Sequence, residues 1–144
     1  MQMRRWLIGF AALAMIGLGA GSQASSASAE DEETTRVFEL RTYTAAPGKL
    51  EALLARFRDH TLALFEKHGM TNVGYWVPAD TPGSENTLVY LLAHESHDAA
   101  KQSWEEFMKD PDWKAVWAAS KVDGPLVLKV ESVFLHATDF SAIR

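Results

Sequence analysis

Glu39, Arg41 and Tyr43 occupy alternate positions of the run Val37-Phe38-Glu39-Leu40-Arg41-Thr42-Tyr43. In an extended chain such residues share one face, with Phe38 and Leu40 on the other. A carboxylate, a guanidinium and a phenol side by side can orient a small ligand's carboxylate or carbonyl inside an otherwise apolar cavity. The same groups can instead form a cross-strand ion-pair ladder that fixes register or a dimer contact. Both alternatives stand on this pattern. Lys129 and Glu131, two apart near the end of the chain, are the expected partners across the sheet.

Tyr75, Trp76 and Tyr90 supply the aromatic surface from which a pocket for a small apolar ligand could be lined, although aromatics on neighbouring strands also pack cores and interfaces. Tyr75 and Trp76 are adjacent, so they cannot both point into one cavity. The chain has five histidines, and none has metal-ligand spacing: there is no H-E-x-x-H, no H-x-x-E-H and no facial carboxylate set. His94 and His136 approach the same end of the sheet, roughly 10 Å apart with one strand between them. His94 therefore joins Glu39, Arg41, Tyr43, Tyr75, Trp76 and Tyr90 as a candidate ligand-binding residue, while capping or surface roles are expected of the histidines in general. No metal or cofactor is expected. There is no G-x-S-x-G, and Gly48-Lys49 lacks the rest of a phosphate loop.

The elements that must position these residues follow from periodicity. Alternation makes residues 37–43 a strand. Pro47-Gly48 opens a helix whose Leu50, Leu53, Leu54, Phe57, Thr61, Leu64 and Phe65 recur at helical spacing, and Gly69 ends it. Residues 73–77 and 87–94 are strands joined by Pro- and Gly-rich turn chemistry. Ser96 or Asp98 starts a second helix with Ala100, Trp104, Phe107 and Met108 as its stripe. Asp110-Pro111 restarts it, with Trp113, Val116 and Trp117 on the buried side. Residues 126–135 are the last strand.

This βαββαβ order is α+β and ferredoxin-like: an antiparallel sheet with two helices on one face. Glu39, Arg41 and Tyr43 are expected on the face away from the helices. Leu88, Val89, Tyr90, Leu91 and Leu92 make the third strand apolar on both sides, which an antiparallel sheet open to water normally avoids. A second copy of the chain, meeting the first sheet to sheet as a dimeric α/β barrel, is the expected cover.

The whole chain has 144 residues, 47% of them hydrophobic and 23% charged, no cysteine and a formal charge of −5. That length suits one domain. The missing cysteine excludes disulfide scaffolds, thiolate zinc sites and a cysteine nucleophile. The acidic balance argues against nucleic acid as a partner. Charge is unevenly spread, because all the acidic residues lie from Glu30 onward. Residues 1–29 run from basic Arg4-Arg5 through an apolar stretch to Ala27-Ser28-Ala29, the order of a cleaved secretory signal. The apolar stretch is short for a membrane span, so no stable anchor is expected. Export to a periplasmic or extracellular space follows, with an acidic leader at 30–35 and the folded domain at 36–140. Cleavage after Ala29 leaves 115 residues (144 − 29) at −7 (12 basic, 19 acidic).

Phe38-Glu39-Leu40-Arg41-Thr42-Tyr43 followed by Pro47-Gly48-Lys49 resembles the opening of the NIPSNAP domain. Val73-Gly74-Tyr75-Trp76, Asp110-Pro111-Asp112-Trp113 and Asp123-Gly124-Pro125 are similar to later patterns of that family in the same order. The resemblance spans about residues 36–140 and implies a subunit of the dimeric α/β barrel type. It carries no catalytic residues with it. Two functions are expected on these grounds: a non-catalytic homodimer that binds a small apolar ligand or a protein partner, or a cofactor-independent monooxygenase or haem-handling enzyme, by analogy of fold.

Overall fold

The structure, a computed structural model, describes residues 36–144. The expected signal at 1–29 and acidic leader at 30–35 lie outside them.

The run VFELRTYTA forms β1 at Val37–Ala45. It occupies the middle of a four-stranded sheet of order β2-β3-β1-β4, with β2 at Thr71–Trp76, β3 at Thr87–His94 and β4 at Val127–Leu135. Every pairing is antiparallel. Register places Glu39 opposite Leu92 on one side and Phe134 on the other, and Arg41 opposite Tyr90 and Ser132. The architecture is ferredoxin-like α+β.

Between β1 and β2, α1 (Leu50–Arg56), a π-helical turn (Phe57–Thr61) and α2 (Leu62–Lys67) follow one another without a break. The apolar stripe suggests one regular helix here. The wider turn interrupts it where Thr61 Oγ1 donates to the Arg56 carbonyl, at 3.1 Å. Gly69 ends the run at φ +77°, a conformation that costs glycine little. A four-residue helix, α3 (Gly83–Asn86), sits in the β2–β3 connection, which turn chemistry alone did not reveal.

The remaining helices are α4 (His97–Lys109) and α5 (Pro111–Ala119). Ser96 caps α4, its side chain accepting from Ala99 N. Asp110 does more. One carboxylate oxygen accepts from Asp112 N at 2.7 Å and Trp113 N at 3.4 Å, capping α5 ahead of Pro111. The other meets Lys67 Nζ at 2.8 Å and His68 Nε2 at 2.6 Å, tying the end of α2 to the α4–α5 corner. Hydrogen bonds from Lys67 and His68, aided by the two backbone amides, hold its acidity well above that of an ordinary aspartate. Asp110→Ala should therefore cost about 2 kcal/mol, the upper end for a lost cap, read as a fall in the urea midpoint. An unchanged midpoint would mean that solvent caps α5 equally well.

The core lies between helices and sheet, where Phe57, Phe65, Tyr90 and Phe107 are all less than 5% exposed. Their rings meet edge-on, tilted or stacked at 5.1–6.1 Å. Two expected members of the stripes face solvent instead, Met108 and Trp117. Phe107 takes the inward position at the end of α4, which turns Met108 outward. The cap at Asp110 redirects the chain so that Trp113 is the buried member of α5, and Trp117 lies outside under Lys121 Nζ, 3.1 Å from the ring centroid.

Among the described residues no helix lies on the opposite sheet face. It carries Leu40, Thr42, Val89, Leu91, Trp76, Val133 and Leu135, with Val133 55% and Trp76 53% exposed. The Trp76 indole lies flat over Gly74, where a Cβ would come within 2.5 Å of it. Residues 136–144 fold back over one end of this face, enclosing a cavity of about 290 Å³ with Phe38, Leu91, Leu135 and Ile143 in its wall.

Candidate functional site

Glu39, Arg41 and Tyr43 share a face as expected, but it is the helix-covered one. The contradiction with the sequence-based expectation has a physical cause: Tyr43 belongs with Tyr90 and Phe57 in the aromatic core, and the two polar residues follow it inward by alternation. Lys129 and Glu131 fall on the opposite, open face, opposite Thr44 and Thr42, where they pair with each other at 2.9 Å. The ladder expected between them and Glu39 does not form.

Glu39 is 1% exposed and accepts four hydrogen bonds. Oε1 takes Arg41 Nη1 at 2.6 Å and Ser132 Oγ at 2.6 Å. Oε2 takes Trp104 Nε1 at 2.7 Å and His94 Nε2 at 3.1 Å. Burial would raise the carboxyl's pKa, but the bonds from His94, Ser132 and Trp104 and the charge of Arg41 outweigh it and lower it to about 2. Three strands and α4 thus converge on one anion. The Arg41 guanidinium lies 4.1 Å from the Trp104 ring centroid, which caps the cluster on the helix side. Burial disfavours the charge of Arg41, yet the neighbouring phenols of Tyr90 and Tyr43 and the Glu39 carboxylate raise its pKa on balance.

His94 is buried beside Glu39 rather than at the surface, with its Nδ1 lacking a partner among the described residues. Nor is His68 a surface group, given its bond to Asp110. Tyr75 and Tyr90 stack at 5.4 Å and 17° within the helix–sheet layer. Burial, first of all, raises the proton affinity of both phenols. Tyr75 hydrogen-bonds Asn72, and its ring forms part of an apolar cavity of about 190 Å³ with Leu54, Phe57, Leu62 and Leu88 at the β2 edge. Trp76 points the other way, onto the open face. Of the seven candidates, Arg41 and His94 each bond Glu39, Tyr43, Tyr75 and Tyr90 form an adjoining aromatic group, and Trp76 stands apart.

Trp104 and Ser132 complete the cluster without having been singled out. Ser132 follows from register, since it stands opposite Arg41; the side-chain contact of Trp104 has no local signal. Among the described residues no group of three or more His, Asp or Glu side chains could hold a metal ion, and no helix is long and apolar enough to cross a membrane.

Tyr90 Oη is buried beside Tyr43 and makes no well-aligned hydrogen bond among the described residues. Removing an unsatisfied buried hydroxyl is expected to be neutral or to add about 1 kcal/mol. Tyr90→Phe should accordingly unfold at the same temperature as the parent or higher. A clear drop would reveal a partner, such as a bound water or ligand, that the hydroxyl serves.

The NIPSNAP family model matches residues 38–142. Among solved structures, the chain is similar to a NIPSNAP family protein from Agrobacterium tumefaciens at 25% identity and a TM-score of 0.66, over 76% of this chain and 99% of that one. A NIPSNAP family protein with unknown function from the same organism matches at 24% identity and a TM-score of 0.65, over 77% and 96% of the two chains. A NIPSNAP domain protein from Burkholderia xenovorans matches at 26% identity and 0.62, over 73% and 97%. No curated protein matches.

Proposed function

The chain belongs to the NIPSNAP family, and from that premise we propose that it is an exported, non-catalytic homodimer, paired through the open faces of two sheets and carrying a small apolar ligand. The observation that carries this reading is the uncovered apolar face. Leu40, Leu91 and Val89 form its centre, flanked by Trp76, Val133 and Leu135. An apolar patch of this kind on a single copy is a partner site by default. A two-fold axis through it places each patch on its own copy, and the exposed Trp76 supplies the sort of aromatic anchor on which interfaces depend.

Chemistry at the Glu39 cluster is disfavoured by its own geometry. A general base needs a free lone pair and a pKa near the working pH. Glu39 has four donors on its two oxygens and a pKa of about 2. The cluster acts as scaffold, and the cavity beside Tyr75 is left for an apolar guest. Export rests on the order of residues 1–29 alone.

Light scattering of the purified mature protein, with mass spectrometry of whatever it retains, tests this reading. Twice the chain mass and a bound apolar compound are the expected results. A monomer at tens of micromolar would overturn the dimer, and oxygen uptake with a hydroquinone would overturn the non-catalytic assignment.

A further inference from the structure

Among the described residues, Arg56 is a buried cation without an anion. It closes α1 at the third position after fully buried Leu53, so the helix carries it under the surface, and only 8% of it is exposed. Nη1 donates to Ser120 Oγ at 3.2 Å, and the guanidinium lies 5.3 Å from the Trp113 ring centroid and 6.0 Å from that of Phe57. Nε has no acceptor, and among the described residues no carboxylate lies within 4.0 Å of it. A hydroxyl and two ring faces do not replace a counter-ion for a desolvated charge. Burial correspondingly lowers the proton affinity of the group.

The guanidinium borders an open cleft of about 510 Å³ between α1 and α5. Ala52 and Ala55 form one wall, Ala115 and Ala119 the other. Four alanines at helical spacing keep the facing helices from filling the space and leave its surface apolar. The backbone below is set by the π-helical turn, whose Thr61 hydroxyl holds the Arg56 carbonyl. Such turns recur at functional sites.

We infer that this cleft is a binding site for an aliphatic monocarboxylate, its carboxylate gripped by the Arg56 guanidinium and its chain laid between the alanine walls. The planar fork of arginine suits a carboxylate taken through its terminal nitrogens, since Nε itself is fully buried. The size lies within the range of small-molecule sites. Asp59 and His60 also line the cleft but are exposed, so Arg56 is its one buried charge and matches a single carboxylate. The site lies in the helix layer, away from the open sheet face, so it stands or falls independently of dimerisation.

Isothermal titration of the full chain with decanoate, below its micellar concentration, and with decanol tests the assignment. Decanoate should bind and decanol should bind at least about tenfold more weakly, the worth of a charge-assisted hydrogen bond. Arg56→Gln should abolish that preference. Ala119→Trp, a substitution at an exposed position that fills the cleft while keeping Arg56, should abolish binding with an unchanged circular dichroism spectrum, and it decides the matter if Arg56→Gln does not fold. The Arg56 Nε–H resonance should move on titration. Equal binding of the alcohol, retained affinity in Ala119→Trp, or a stationary resonance overturns the site. A change of oligomeric state without loss of decanoate binding bears on the homodimer alone.

Discussion

Glu39→Ala is expected to lose about 3–5 kcal/mol of folding stability, the scale for removing one partner from a buried charge network. The loss is not that of four hydrogen bonds added together. It arises because Arg41, Trp104, His94 and Ser132 are left facing a space too enclosed for each to find water. Chemical denaturation monitored by tryptophan fluorescence measures it, and a loss below about 1 kcal/mol would show that the donors are readily resolvated. The same carboxylate sets an acid limb. Its folded pKa, about 2, lies below the ordinary value of 4.5. A depressed carboxylate stabilises the fold fully above its unfolded pKa and loses that contribution as pH falls through the folded one. About 3 kcal/mol should thus disappear between pH 4.5 and about 2. In Glu39→Ala the stability profile over that window should be flatter than in the parent. If the two profiles run parallel, other groups govern acid unfolding.

The second large effect is expected at the open face. Leu40→Glu combined with Val133→Glu places adjoining carboxylates at paired positions of β1 and β4. A two-fold contact would double them across the interface. Juxtaposed like charges cost several kcal/mol, so dimer affinity should fall by about a thousandfold, with a monomer seen by light scattering at concentrations where the parent is paired. Val130→Glu is the control. Val130 is 46% exposed but stands opposite Tyr43, on the other side of the sheet, and its substitution should leave the mass unchanged. A dimer that survives the double substitution would place the contact elsewhere.

Strands and caps were legible because their signals are local. Alternation marked β1, Ser96 and Asp110 announced their helices, and Gly69 announced a stop. Strand three, apolar on both sides, already indicated that the face away from the helices needs a cover of its own. The orientation of Glu39 was not legible. A strand with polar residues on one face ordinarily turns that face to water, and nothing near residue 39 reports that Trp104, 65 residues away, offers its indole N–H. Arg56 was missed for a similar reason. Its position beside the apolar stripe was visible, yet a charged residue there is usually taken to snorkel outward. Only the packing of Trp113 and Ser120 against it shows otherwise.

The place of β1 in the sheet has a consequence for how the chain assembles. β1, one of the two inner strands, comes first among the described strands and gains its neighbours last, since β3 follows a helix and β2, and β4 is the last described strand. Ser132 and Glu39 are separated by 93 residues. Closing a loop of that length must precede the contacts that reward it, which slows folding. Until β4 arrives, an unfinished chain presents one bare edge of β1, a template on which other chains can pair.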